Sequence, residues 1–164
     1  MQPAEKTNFQ GNTFDLITVA QAIHWFNFKD FYKEAKRVLK PNGMIAVIGY
    51  SLFKSTLETN KVIWKFYNDV IGSFWDEERR YLDEKYKTIP FPFQEIKAPE
   101  FQQEHQWSFE HLIGYLETWS AAKHYEKVNG ENPVNLIKKE LKTAFGNENK
   151  IVFPILLRLG KLND

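Results

Sequence analysis

Cysteine is absent from all 164 residues. Disulfides, thiolate nucleophiles and zinc–thiolate sites are therefore excluded. An excess of charge of one sign is lacking as well: 22 Lys and Arg against 21 Asp and Glu leave a net charge of +1. That balance lacks the basic footprint nucleic-acid binding usually requires. No apolar run approaches the ~20 residues of a membrane span, and the opening MQPAEKTNFQG has no apolar core of a signal peptide. The expectation is a soluble cytoplasmic protein with neither nucleic acid nor membrane as partner. The eight glycines are scattered and never form G-x-G-x-x-G or a shortened equivalent. There is no internal repeat, low-complexity tract or linker, so one domain over residues 1–164 is expected.

What is present is a block from Phe14 to Tyr50. Phe14–Ala20 is a short, nearly continuous apolar run, as in strands buried on both faces of a parallel sheet. Asn27 is a good N-cap with Asp30 three residues on. Phe28, Phe31, Tyr32, Ala35, Val38 and Leu39 follow at helical spacing, with Lys33, Lys36, Arg37 and Lys40 opposite and toward the C-terminal turns. Pro41-Asn42-Gly43 predicts the helix stop, and Met44–Tyr50 a second buried strand. Strand, helix and strand with short joints imply a parallel pair with a right-handed crossover.

Beyond the block, Ser55 and Glu58 have capping-box spacing before a long apolar stripe ending near Gly72 or Trp75. Asp76–Lys87 reads as a charged, solvated helix. Pro90, Pro92 and Pro99 leave at best one or two irregular strands between Gln94 and His105. Ser108 caps a helix expected to run through Tyr125. Asn132 and Pro133 open another, which Gly146 closes. Ile151–Leu159 is the last strand, with Pro154 suggesting an edge or bulge.

Certain segments carry a resemblance: Phe14-Asp15-Leu16, Ala20-Gln21, His24-Trp25-Phe26, Arg37 to Gly43, Tyr115 to Ala121, Gly130 to Pro133, and Phe153-Pro154 with Arg158-Leu159-Gly160. Together they resemble class I S-adenosylmethionine-dependent methyltransferases of the branch that includes trans-aconitate methyltransferases. The resemblance implies an α/β fold: a partial Rossmann-like methyltransferase sheet holding the equivalents of strands 4 to 7, with an inserted helical cap in segments 52–92 and 107–146. It covers the C-terminal part of such a domain. Only thirteen residues precede Phe14, too few for three strands and two helices. Relatives carry a glycine-rich loop after their first strand and an acidic residue after their second, and neither has a counterpart here.

The resemblance further implies that Ala4 and Glu5 lie by the adenine of S-adenosylmethionine, and that Val19, Ala20, Gln21 and His24 line the cofactor toward its sulfonium. It places His24, Trp25, Tyr115, Trp119 and Ser120 near a small acceptor, possibly a carboxylate, and implies no catalytic base. Gln21 is equally readable as a turn residue, and Trp119 as part of a core stripe. Arg158 is an alternative acid-orienting group or a solvated charge. His105, His111 and His124 lack metal-ligand spacing, so no metal is expected. Without its customary neighbour, strand 14–20 is expected to expose an edge open to a complementing chain or to self-association. Cofactor binding is expected only if the missing half is supplied. The alternative is a non-catalytic, partner-dependent interaction module or a truncated remnant.

Overall fold

The computed structural model describes residues Gln2–Gly146 and Lys150–Leu162. These fall into two compact units, one of residues 1–51, 78–101 and 154–164, the other of residues 52–77 and 102–153.

The first unit begins with strand β1 (Phe14–Ala20), the turn Ile23–Trp25, helix α1 (Phe28–Val38) and strand β2 (Leu39–Tyr50). The Asn27 side chain accepts the Asp30 amide at 3.1 Å and caps α1 as expected. Phe31, Tyr32, Ala35 and Val38 are buried on its inner face. β1 and β2 are parallel, from Leu16↔Met44 to Ala20↔Ile48. The helix stop differs from expectation. α1 ends at Val38, and Leu39 already pairs with Phe14, ahead of Pro41. A register shift between Phe14 and Leu16 absorbs residues 40–43 as a bulge, with Asn42 at φ 63°. A Cβ at Gly43 would lie 2.8 Å from the Lys40 carbonyl, so only glycine lets the strand resume there.

Short helix α3 (Arg79–Asp83) and strand β3 (Gln94–Ile96) follow in this unit. The expected solvated helix Asp76–Lys87 is replaced by those five helical residues and a turn with Lys85 and Tyr86 left-handed, at φ 56° and 59°. The cause is burial: Leu82, Tyr86 and Ile89 enter the core with Val19, Ile23, Phe31, Tyr32, Ile45 and Val47. Residues 78–92 thus pack in the first unit, while 52–77 and 107–146 lie in the second.

Strand β5 (Lys150–Lys161) completes the first unit's sheet through residues 154–161. The order is β1-β2-β5-β3, with β5 antiparallel to both neighbours. This α/β arrangement matches the expected partial Rossmann-like sheet. Over Leu159–Lys161 β5 is paired on both sides, whereas Ile155–Arg158 pair with β2. The proline stands just outside the run paired with β2, and its carbonyl accepts Ser51 N at 3.2 Å. β1 ends the order, and its outer side pairs with no strand among the described residues. Leu16 there is 51% exposed despite its apolar setting.

The second unit holds α2 (Leu57–Lys65), strand β4 (Phe101–Gln106, from residue 102), α4 (Phe109–Glu117), α5 (Ser120–Asn129), α6 (Val134–Phe145) and the start of β5. Thr56, rather than Ser55, caps α2 by accepting Thr59 N at 3.1 Å. The expected single long helix instead passes into a wider turn at Phe66–Val70, closed by Ile71 N to Phe66 O at 3.0 Å, and then Gly72–Phe74. The widened turn keeps Phe66, Tyr67 and Ile71 all buried. Ser108 caps α4 as expected, but the helix breaks at Thr118–Trp119, where Trp119 is extended (ψ 135°) and its ring is buried. No helix among the described residues is long and apolar enough to cross a membrane.

Candidate functional site

Ligands of open α/β sheets sit beyond the carboxyl ends of the parallel strands. In the first unit that position follows Ala20 and Tyr50. Val19 is buried, and Ala20 is exposed at the end of β1. Gln21 turns the chain with φ 50°. Its amide donates to Ile48 O at 2.8 Å and its side-chain Oε1 accepts Tyr50 N at 3.0 Å. Gln21 therefore ties the two strand ends together, which is the turn-residue role its sequence position also allowed.

The single turn Ile23–Trp25 follows, closed by Trp25 N to Ala22 O and Phe26 N to Ile23 O. Ile23 anchors it in the core. His24 is buried, and Trp25, whose ring lies 5.0 Å from the imidazole, is 57% exposed. Burial, then the Arg79 charge, hold the His24 pKa below its ordinary value against an opposing effect of Glu78. α3, which carries Arg79, packs on this turn.

Tyr86 was not singled out by sequence. Its hydroxyl lies 3.4 Å from His24 Nδ1, and the two rings are close to parallel. Burial pushes that hydroxyl up to about 12. A Cβ at Gly49 would stand 2.6 Å from the Tyr86 ring and oxygen, so the missing side chain on β2 makes room for the phenol. Arg158 supports the same turn from β5. It donates to Tyr86 O at 3.0 Å and Ile89 O at 2.7 Å, pairs with Glu95 at 2.8 and 2.9 Å, and covers the Phe91 ring. Arg158 is thus a bracing group rather than a solvated charge, and it holds the Glu95 carboxyl below the usual range. A charge run such as DEERRYLDEKYK gives no local signal that one of its tyrosines is buried. Gly49 at the end of an apolar strand was the available hint of a close approach.

The N-terminal segment is held against α1. Glu34 Oε1 accepts Thr7 N at 2.8 Å and Thr7 Oγ1 at 2.5 Å. Arg37 pairs with Glu34 at 2.6 and 2.8 Å and donates to Phe9 O. Glu5 accepts Asn27 N at 3.2 Å. Ala4 borders a cavity of about 270 Å³ whose other walls include Val19, Ala20, Ala22, Phe26 and Phe31. Its lining is mostly apolar, with Thr7, Thr18 and Glu34 as polar members, whereas the Glu5 carboxylate is turned toward the helix start.

Glu34→Gln is expected to lower the unfolding free energy at pH 7 by about 1–3 kcal/mol. Hydrogen bonds from Arg37, then Thr7, hold the Glu34 carboxyl at about 2 against an ordinary 4.5. The stabilisation is complete above the ordinary value and is lost as pH falls toward 2. The gap in urea midpoint between wild type and variant should therefore narrow from pH 7 to about pH 2.5. A constant gap would show that the carboxylate is not the stabilising form.

Tyr115, Trp119 and Ser120 belong to the second unit. Trp119 is buried among Phe66, Tyr67, Trp75 and Tyr115, Tyr115 is half-buried, and Ser120 is exposed at the start of α5. Sequence reasoning grouped these three with His24 and Trp25; the structure brings Glu5, Val19, Ala20, Gln21, His24 and Trp25 into the first unit only. Among the described residues no group of three His, Asp or Glu could hold a metal.

Comparison with known proteins gives three findings. A family profile described as methyltransferase domain matches residues 1–47. A Dictyostelium discoideum protein designated a methyltransferase is 32% identical over 98% of this chain, which spans 65% of that relative's length. The solved structure of an Anaeromyxobacter dehalogenans protein designated a type II methyltransferase is 32% identical, with a TM-score of 0.89 over 99% of this chain and 71% of its own.

Proposed function

We propose, since this chain belongs to the class I methyltransferase family, that it forms the acceptor-side part of an S-adenosylmethionine-dependent enzyme methylating a small acceptor, a carboxylate being the class favoured. The observation that carries the reading is the cluster at the strand ends: exposed Ala20, the Gln21 tie and buried His24 behind an exposed Trp25. When bound, S-adenosylmethionine supplies an electrophilic methyl carbon with a thioether as leaving group. A carboxylate acceptor is already ionised, so the protein's task is positioning rather than proton removal. Neutral His24 serves as a hydrogen-bond donor to the acid, the Arg79 charge favours an anion nearby, and the Trp25 face suits a cationic centre. Ala4, with Glu5 alongside, borders the adenine end, and Val19 and Ala20 form the floor.

Cofactor binding requires a glycine-rich strand–loop–helix half beside β1. Calorimetry should give a Kd weaker than about 1 mM for residues 1–164 alone, and one near micromolar once that half is joined. Tight binding by residues 1–164 alone overturns the requirement, and no binding after joining overturns the cofactor assignment. A second reading is favoured by one observation, the unpaired outer side of β1 with Leu16 exposed. There the chain acts as a module to which another chain adds a strand. Light scattering on residues 1–164 mixed with the separate complement decides it, since a monomer unchanged by the complement in trans counts against strand addition.

A further inference from the structure

The turn bearing Tyr86 is the most strained described segment that the proposed reaction does not yet use. Lys85 and Tyr86 are consecutive left-handed residues with side chains, at φ 56° and 59°. Each such residue is strained and persists only where its surroundings over-determine it. Here they do. The Tyr86 amide donates to Tyr81 O at 2.7 Å, Arg158 holds the Tyr86 and Ile89 carbonyls, and Gly49 leaves the ring its space. These supports deliver one polar atom, the Tyr86 hydroxyl, to His24 Nδ1 beside the strand ends.

We propose that Tyr86 is a positioning residue: its hydroxyl donates to His24 Nδ1 and holds the imidazole as the neutral tautomer protonated on Nε2, so that His24 presents one fixed donor to an anionic oxygen of the acceptor. A neutral imidazole has one donor and one acceptor nitrogen, and the partner of one determines the role of the other. The phenol keeps its proton throughout the working pH range, because burial raises its pKa. It can therefore act as the donor, leaving Nδ1 to accept. The ionisable groups that bear on this pair are Arg79, Glu78 and Tyr50. Burial first, and then the Arg79 charge, disfavour a protonated His24, which favours the neutral form that has tautomers to select.

The identity of the acceptor oxygen rests on the proposed function, whereas the tautomer does not, and the test separates the two. Long-range proton–nitrogen spectra of histidine-labelled protein at pH 7 read the His24 tautomer directly. Wild type should show Nε2–H. Tyr86→Phe keeps the ring and its packing, and should lower the Nε2–H to Nδ1–H ratio about fivefold, the loss of one neutral hydrogen bond. Wild-type His24 protonated on Nδ1, or a ratio unchanged by Tyr86→Phe, overturns the proposal. The wild-type spectrum is decisive by itself should the variant fold poorly. Sodium acetate is then titrated into wild type. A shift of the His24 Nε2 signal supports the anionic partner. The expected tautomer with no shift keeps Tyr86 as the positioning residue and overturns the carboxylate partner.

Discussion

Replacing Trp119 with alanine should lower the unfolding free energy by about 3–5 kcal/mol, the range for truncating a large buried aromatic. Its ring is 8% exposed and lies flat to Phe66 at 6.0 Å, edge-on to Tyr67 at 5.8 Å and Tyr115 at 5.9 Å, and tilted to Trp75 at 5.6 Å. The backbone cooperates. Trp119 is the extended residue between α4 and α5, with its amide donating to Leu116 O at 3.2 Å. Side-chain burial and the helix break therefore support each other, and alanine removes the reason for the break. Trp119→Phe keeps an aromatic in the same position and should cost about half as much. Urea denaturation provides the measurement. An alanine variant with an unchanged midpoint would mean that the ring faces a ligand rather than a core. That result would strengthen its assignment as an acceptor contact at the expense of its structural one.

Gly49→Val is the second large effect, expected at about 2–3 kcal/mol. A Cβ there would stand 2.6 Å from both the Tyr86 ring edge and its hydroxyl. A long flexible side chain would swing aside cheaply. Tyr86 has no such freedom, because its ring is fully buried and its backbone is braced by Arg158. The valine must therefore displace either β2 or the phenol, and the phenol is the group that reaches His24. Tyr86→Ala has its own cost, since it leaves a cavity of ring size. The double variant Gly49→Val with Tyr86→Ala should be less destabilised than the sum, because the valine then fills part of the space the ring vacated. Additive losses in chemical denaturation would show that the two residues do not compete for one volume.

The parts of the fold that sequence made legible are those governed by neighbours in the chain. α1 was readable because Asn27, the apolar spacing through Val38 and the basic last turns all act within a few residues of one another. The Ser108 cap, the Pro133 start and the Gly146 end were readable for the same reason. Boundaries failed where burial overrode local preference. Leu39 joins the sheet ahead of Pro41, the stripe after Thr56 widens to bury Phe66, Tyr67 and Ile71, and the charged run 76–87 folds into a strained turn. The site divides in the same way. Gln21, His24 and Trp25 were found because they adjoin the end of a recognisable strand. Tyr86, Gly49 and Arg158 were not assigned their roles, because each has meaning only beside a residue far away in sequence.

The sequence by itself determined the β1–α1–β2 unit, the absence of thiol chemistry and the family resemblance. Periodicity, capping and composition operate locally and survive without knowledge of contacts. Only the tertiary structure decided that a tyrosine 62 residues from His24 would meet its imidazole, and that an arginine 72 residues from that tyrosine would hold its carbonyl. Those contacts exist because core burial outweighs the backbone strain of the Lys85–Tyr86 turn, and that balance depends on the packed whole rather than on any segment of the chain.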